Sequence, residues 1–174
     1  MPTALTHAVA GLTIGELLAP EPVPLAYHFL TVALALLPDV DAISFRFGIP
    51  YGSRFGHRGV SHSLLCAVVV GLVTAISLAS WLGVSWWVLG SIFSVVVAMH
   101  GALDALTDGG MGIAFFSPLD DARYFFPWRP ICVSPIGMAV FSRWGLRALL
   151  SEILWVWLPL GLLVGCALGW RGLW

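Results

Sequence analysis

Residues 63–83 read SLLCAVVVGLVTAISLASWLG, a run without a single charged side chain. At a rise of 1.5 Å per residue, a helix of this length spans roughly 31 Å, which is about the thickness of the hydrocarbon core of a bilayer. The run therefore predicts a transmembrane helix. Segments 86–106 and 148–170 are similarly long and apolar, the latter interrupted by Pro159, and they predict two further membrane helices.

Two shorter apolar segments and one aromatic segment complete the chain. Residues 4–18 and 24–37 are separated by a proline-containing turn at 19–22, which predicts a hairpin of two short or tilted helices. Residues 107–147 are rich in both aromatic rings and prolines. Such rings favour the headgroup layer, and prolines interrupt helices, so we expect this segment to lie along the membrane interface.

The overall composition agrees with these segments. Of the 174 residues, 59% are hydrophobic and 10% are charged, whereas soluble domains carry about 25% charged residues. The sequence therefore predicts one membrane-embedded domain over residues 1–174. Its fold class is all-α: a polytopic transmembrane helical bundle with four to five membrane helices and an interfacial segment.

The distribution of basic residues predicts the orientation. Seven of the eight basic residues, all of them arginines, fall in segments 38–62 and 107–147, and loops that stay in the cytoplasm carry the excess of basic residues. Both segments are therefore expected on the cytoplasmic side of the membrane. With a net charge of -1 and no dense basic stripe, the chain does not indicate nucleic-acid binding.

Ionisable residues at membrane depth are costly and are functional candidates by default. Here they gather in short segments that the predicted topology places at the cytoplasmic ends of helices. The candidate metal ligands are His7, Asp39, Asp41, His57, His62, His100, Asp104 and Asp108.

The spacing of these residues supports a common site. His100, Asp104 and Asp108 are four residues apart, so on a continuous helix they share one face. Asp39 and Asp41 follow a proline at a helix end, and two close carboxylates repel each other unless a cation or proton lies between them. The pair formed by His57 and His62 brackets a glycine-containing turn before the helix at 63–83. Asp108 fits equally well as a cap of the turn before Gly109-Gly110.

Imidazole nitrogens mixed with carboxylate oxygens suit zinc first, and manganese or iron(II) as alternatives. Four ligands satisfy one tetrahedral ion, whereas this larger set predicts a two-ion centre that activates water and binds phosphoryl oxygens. Arg58, Arg123 and Arg129 are candidate substrate-binding residues because the arginine fork binds phosphate; the alternative is membrane anchoring. We expect Arg58 to take part in catalysis, with Asp41 or His62 as general acid or base.

Several motifs occur in a fixed order along the chain. They are Thr6-His7, Leu37-Pro38-Asp39-Val40-Asp41, His57-Arg58-Gly59-Val60-Ser61-His62-Ser63, the His100 to Asp104 pair, and Gly109-Gly110. On these motifs the chain resembles the YdjM-like family of bacterial inner-membrane proteins, which are described as metal-dependent hydrolases; the family usually has Thr in place of Ser61. It is similar, more distantly, to zinc-dependent phospholipase C, which implies phosphoester hydrolysis at a multi-metal centre.

The expected function is therefore metal-dependent hydrolysis of a phosphoester, or of an acyl ester as a weaker alternative, in a membrane lipid or lipid-linked substrate. One rival is a metal transporter or sensor, although segment 63–83 lacks the polar groups that a transport path needs. A second rival is a non-catalytic scaffold whose metal joins short helices. A metalloprotease is disfavoured because the sequence contains no HExxH motif. The sequence leaves the oligomeric state open.

Overall fold

The computed structural model describes residues 1–20, 22–135 and 137–171. Residue 21 of the predicted turn, residue 136 of the predicted interfacial segment and residues 172–174 lie outside this description. The principal helices are α1 (Ala4–Leu18), α2 (Leu25–Leu36, continued by a 3-10 helix over Leu37–Phe47), α3 (Leu64–Leu82), α4 (Trp86–Ala105) and α5 (Arg143–Glu152, Ile153–Trp157 and Leu158–Arg171).

The predicted all-α membrane fold is confirmed. Four helical stretches are long and apolar enough to cross a membrane, namely Leu25–Phe47, Leu64–Leu82, Trp86–Ala105 and Arg143–Ala167, and the shorter apolar helix is α1. No β-strand forms within the described ranges, where extended pairing is limited to two isolated bridges in the segment after α4.

The second span is longer than the sequence predicts because Pro38 does not end it. The chain passes from α-helix into a 3-10 helix at Leu37 and continues to Phe47. Proline is tolerated at this point because it stands in the first turn of the new helix, where its missing N–H is not needed.

The last span begins earlier than predicted, at Arg143, because Ser142 caps it by accepting a hydrogen bond from the Gly145 amide. A π-helical turn, Ile153–Trp157, interrupts it just before Pro159. Proline inside a helix removes one hydrogen bond and crowds the preceding turn, and a widened turn relieves that crowding.

Helix α4 is the centre of the bundle. Its span is 61% buried, against 17% for α3 and 11% for the last span, so those two outer helices present most of their apolar surface to lipid. Helices α1 and α2 pack closely where Gly11 faces Ala35: a Cβ at Gly11 would lie 2.3 Å from the Ala35 Cβ. Small residues permit such approach between membrane helices.

The antiparallel order of the helices brings four helix ends together. The start of α1, the end of α2, the start of α3 and the end of α4 all contribute to one group of polar contacts. The segment after α4 folds back over this end through hydrogen bonds such as Phe126 N to Ala105 O, at 3.0 Å, and Ala114 N to Arg58 O, at 3.2 Å. The fold thereby builds a polar site at one end of an apolar bundle.

Candidate metal centre

Five ionisable side chains meet at this end of the bundle. We call them the inner cluster: His7, Asp39, His62, His100 and Asp104. The last two lie one turn apart on α4, and the others come from the ends of α1, α2 and the turn before α3. The side chain of Asp39 is 16% exposed, whereas those of the other four are fully buried.

Donor atoms in the inner cluster face one another at distances of 3.3 to 3.7 Å. His100 Nε2 lies 3.3 Å from Asp39 Oδ1, and His7 Nε2 lies 3.3 Å from Asp104 Oδ1. His62 Nε2 is 3.7 Å from both Asp39 Oδ1 and Asp104 Oδ2. Two ligands that each bind a metal at 2.0–2.2 Å are separated by roughly 3–4 Å. The spacing therefore fits ligands arranged around a cation.

None of these converging atoms has a hydrogen-bond partner in the described structure. The unpartnered buried atoms of the inner cluster are His7 Nδ1 and Nε2, both oxygens of Asp39, His62 Nε2, His100 Nε2 and both oxygens of Asp104. A buried polar atom without a partner costs about 1–3 kcal/mol, and more when it is charged. A divalent cation would satisfy the three Nε2 atoms and both carboxylates together, so the residues present fit a metal.

Hydrogen bonds on the opposite ring nitrogens orient two of these histidines. His100 Nδ1 lies 2.7 Å from the carbonyl oxygen of Ala35. His62 Nδ1 lies 3.0 Å from the hydroxyl of Ser61, which itself donates to Asp41, and 3.1 Å from Asp41 Oδ2. A proton donated from Nδ1 leaves the lone pair on Nε2 directed into the inner cluster, as in histidines that bind metals. Burial lowers the pKa of His62, but its contacts with Asp39 and Asp41 outweigh burial and raise that pKa to about 9.

Asp41 belongs to a second group that contacts the first at His62, and its contacts are different in kind. We call Asp41, His57 and Ser61 the outer group. Asp41 Oδ1 lies 2.6 Å from His57 Nδ1, and Oδ2 accepts hydrogen bonds from the Ser61 hydroxyl and, at 3.1 Å, from the Arg58 amide. Two sets of residues that share His62 could hold metal ions: Asp39, His62, His100 and Asp104, and Asp41, His57 and His62. Only the inner cluster carries unpartnered carboxylate oxygens, so the geometry favours Asp41 as the residue that orients His62.

Arg58 joins the turn before α3 to the inner cluster. Its guanidinium is buried, with Nε 3.0 Å from Asp104 Oδ2 and Nη1 donating to the Gly109 carbonyl at 3.1 Å. Its backbone is left-handed, with φ of 63°, a conformation that costs a non-glycine residue roughly 1–2 kcal/mol. Gly110 leaves room for this side chain, because a Cβ there would lie 2.3 Å from Arg58 Nη1.

The formal charges at this end of the bundle do not balance. The three carboxylates of Asp39, Asp41 and Asp104 face one guanidinium, that of Arg58. With the histidines neutral, the form in which an imidazole binds a metal, the group carries two net negative charges. Buried charge of one sign is expensive. One divalent cation would neutralise it, and a second would leave a positive site suited to an anionic phosphoryl group.

The other residues predicted for the site lie around this centre in different ways. Arg123 reaches it but donates to backbone carbonyls of the surrounding loops: those of Tyr51, Ser53, His57, Arg58 and Gly112. Arg129 is exposed and stacks over Phe125 at 4.8 Å. Asp108 is exposed and accepts a hydrogen bond from the Val133 amide at 2.8 Å, outside both groups. All predicted ligands except Asp108 therefore meet at one end of the bundle.

A cavity leads to Arg58 and His57. It has a volume of about 410 Å³ and is lined by Met1, Tyr51, His57, Arg58, Gly110, Val133, Ser134, Pro135 and Trp144. A neighbouring cavity of about 510 Å³ shares His57 and also contains Arg46. The arrangement offers an anionic group a place between aromatic walls with arginine at its end.

The sequence analysis did not single out Glu152, which is fully buried in the last span. Its side chain accepts hydrogen bonds from Thr3 and Thr6 at the start of α1. Its sequence signal is that it is an acidic residue in the otherwise apolar segment 148–170. Ionisable residues at membrane depth are costly, so Glu152 is a functional candidate for the same reason as the histidines and aspartates.

A bundle of apolar helices with a buried His/Asp cluster at one end defines a polytopic membrane protein with a candidate metal site. The model of the YdjM inner membrane protein family matches residues 1–173, and the chain belongs to this family. It is similar to inner membrane protein YbcI of Escherichia coli strain K12. The two sequences are 41% identical over an alignment of 177 positions, which covers 98% of this chain and 99% of that protein. No solved structure matches the chain. The predicted family and inner-membrane location are confirmed.

Proposed function

We propose that this protein is a membrane-bound metal-dependent hydrolase that cleaves a phosphoester of a membrane lipid or lipid-linked substrate. The observation that carries the proposal is the inner cluster, in which imidazole nitrogens and carboxylate oxygens converge without hydrogen-bond partners. Structural sites are closed by four ligands. Five residues, two of them carboxylates, next to an arginine and a cavity, exceed what a metal-stapled scaffold needs.

The inner cluster would hold the metal, and Asp41 would orient His62 toward it. When bound, a divalent ion, with zinc the best match, supplies a Lewis acid and a water molecule activated near neutral pH. The carboxylates of Asp39 and Asp104 and the imidazoles of His7, His62 and His100 would hold the predicted pair of ions.

Arg58 is suited to receive the anionic oxygens of the substrate. It is already charge-paired with Asp104 at 3.0 Å, and its guanidinium lines the 410 Å³ cavity. Bidentate contact between arginine and phosphate positions the phosphorus atom for attack. Arg123 would contribute indirectly, because its hydrogen bonds hold the carbonyls of His57 and Arg58 in place.

The outer group is suited to proton transfer. His57 contacts Asp41 at 2.6 Å through Nδ1 and lines both cavities, which leaves Nε2 as the ring atom available to a substrate. A carboxylate that holds an imidazole in one orientation supports general acid-base catalysis. We assign this role to the pair of His57 and Asp41.

A lipid suits the site because the centre lies at the end of membrane helices, where a substrate can arrive laterally from one leaflet. The same arginine distribution that predicts the topology supports a centre on the cytoplasmic side. A reporter fused after Arg58 that proves periplasmic would overturn this orientation.

The proposal is tested by incubating the purified protein in nanodiscs with a panel of phospholipids and isoprenoid phosphates and measuring the released headgroup or phosphate. We expect hydrolysis that a chelator abolishes and a divalent metal restores. Arg58→Ala should reduce the rate at least tenfold with the metal retained, whereas the exposed control Arg147→Ala should not. Metal-loaded protein that hydrolyses none of these esters would contradict the proposal.

A further inference from the structure

Glu152 is the one carboxylate in the Arg143–Glu152 part of α5, and its side chain is completely buried. It lies in a membrane span yet provides no atom to the inner cluster. Its hydrogen bonds cross to another helix: Oε1 accepts from the Thr3 amide at 2.7 Å, and Oε2 accepts from the hydroxyls of Thr3 and Thr6, each at 2.5 Å. Three donors from α1 thus meet one carboxylate of α5.

These contacts hold the first turn of α1. Thr3 is the N-cap of this helix, and its hydroxyl also accepts from the Thr6 amide. A carboxylate at a helix N-terminus is favoured by the unpaired amides and the helix dipole. Glu152 therefore fixes the position of the first turn of α1 at the cost of one buried charge.

The π-helical turn strengthens the same connection. Ile153–Trp157 directly follows Glu152, and the indole Nε1 of Trp157 donates to the Thr6 hydroxyl at 2.8 Å. Thr6 thus accepts from Trp157 and donates to Glu152. π-turns are frequent at functional sites. Here the turn directs the indole of Trp157 toward Thr6, the threonine that Glu152 also contacts.

The residue that follows Thr6 is His7, the ligand candidate of the inner cluster that comes from α1. His7 Nε2 lies 3.3 Å from Asp104 Oδ1, and its ring stacks on that of His100 with centroids 3.7 Å apart. Neither ring nitrogen of His7 has a hydrogen-bond partner in the described structure. No hydrogen bond of its own therefore orients this imidazole, in contrast to His62 and His100.

We infer that Glu152 is a positioning residue for the metal centre: through Thr3 and Thr6 it sets the place of α1 and, with it, of His7. The inference rests on the proposed metal centre. It couples the last membrane span, which supplies no ligand, to metal binding by the other helices.

The test is a double-mutant cycle of Glu152→Gln and His7→Ala, with Co²⁺ as the probe in nanodiscs. Glutamine keeps the size of the side chain but replaces one acceptor oxygen by an NH₂ donor, so it cannot accept from the Thr3 amide and from both hydroxyls at once. We expect Glu152→Gln to weaken Co²⁺ binding about 10- to 100-fold and to change the d–d spectrum, as expected when a residue that supports a ligand is lost.

In the His7→Ala background the same substitution should change Co²⁺ affinity by less than about threefold, because the two residues act through one path. Glu16→Gln is the matched control. Glu16 lies on α1, the helix of His7, and its Oε2 contacts His28 Nε2 at 2.6 Å, away from the inner cluster. It should leave Co²⁺ affinity unchanged. An equal loss of affinity in both backgrounds, or no loss in either, would overturn the inference.

Hydrogen exchange of the metal-free protein provides a readout that does not need the metal. We expect Glu152→Gln and the milder Thr6→Val to accelerate exchange in the first turns of α1, and Glu16→Gln to leave them unchanged. If wild-type protein binds no Co²⁺, the proposed function fails, and this exchange measurement alone decides whether Glu152 positions α1. Unaltered exchange in both Glu152→Gln and Thr6→Val would refute the connection.

Discussion

Replacing Asp41 by asparagine separates an orienting role from a ligand role. In the structure its carboxylate contacts His57 Nδ1 at 2.6 Å, the Arg58 amide at 3.1 Å, His62 Nδ1 at 3.1 Å and the Ser61 hydroxyl. An asparagine that places its oxygen at the Oδ2 position keeps three of these four contacts. It presents an amide to His57 and loses the negative charge.

The expected cost follows from these retained contacts. His62 keeps its acceptor but loses the carboxylate that makes its Nε2 more basic, and such changes lower metal affinity about 10- to 100-fold. This corresponds to about 1.4–2.7 kcal/mol. Asp104→Asn, which removes an oxygen of the inner cluster itself, should weaken binding further.

The assay is competition for zinc against a chromophoric chelator, with each variant purified in the same detergent. Asp121→Asn serves as the control because this aspartate is exposed and pairs with Arg54 at 2.7 Å. We predict intermediate affinity for Asp41→Asn, between wild type and Asp104→Asn. A loss as large as that of Asp104→Asn would make Asp41 a ligand, and a change below about threefold would deny it any role.

Three further outcomes are expected. Gly110→Ala should displace the Arg58 guanidinium, because the added Cβ would lie 2.3 Å from Arg58 Nη1 on a backbone with φ of 92°. We expect the rate of hydrolysis to fall at least tenfold while metal remains bound. Full activity would show that Arg58 does not need the space that Gly110 leaves. Zinc affinity should rise about tenfold per pH unit between pH 7 and 9, because the pKa of His62 is raised to about 9 and its proton must leave before the metal binds. Competition titrations that show no pH dependence would exclude His62 as a ligand that loses a proton. Gly11→Ala should destabilise the bundle by about 1–3 kcal/mol, because the added Cβ would collide with Ala35 of α2. Thermal unfolding measures this against the control Gly161→Ala, where an added Cβ meets nothing within 4 Å. Equal melting temperatures of the two variants would contradict that packing.

The membrane helices could be predicted from sequence because long uncharged runs have few other stable states. The predicted helix at 63–83 corresponds to Leu64–Leu82, and that at 86–106 to Trp86–Ala105. The ends beside prolines could not be predicted. Pro38 and Pro159 each signal an irregular turn but do not specify its form, which is a 3-10 helix after α2 and a π-turn before Pro159.

The residues of the candidate site were visible in the sequence, but their division into two groups was not. The spacing of His100 and Asp104 requires one helix face, and the structure places them there. Asp39 and Asp41 are alike in sequence, yet one faces the inner cluster and the other faces His57 and Ser61. This difference arises from helical geometry and from hydrogen bonds across the fold. Long-range partners also explain why Glu152 was overlooked.

Elemental analysis of the detergent-purified protein tests the central claim most directly. We predict at least one zinc, manganese or iron atom per chain in the wild type, two for the proposed two-ion centre, and loss of metal in His100→Ala. Asp108→Ala, at an exposed position outside both groups, should retain it. Protein that remains free of metal after reconstitution with each ion, or His100→Ala protein with its metal intact, would contradict the account of the inner cluster as a metal centre.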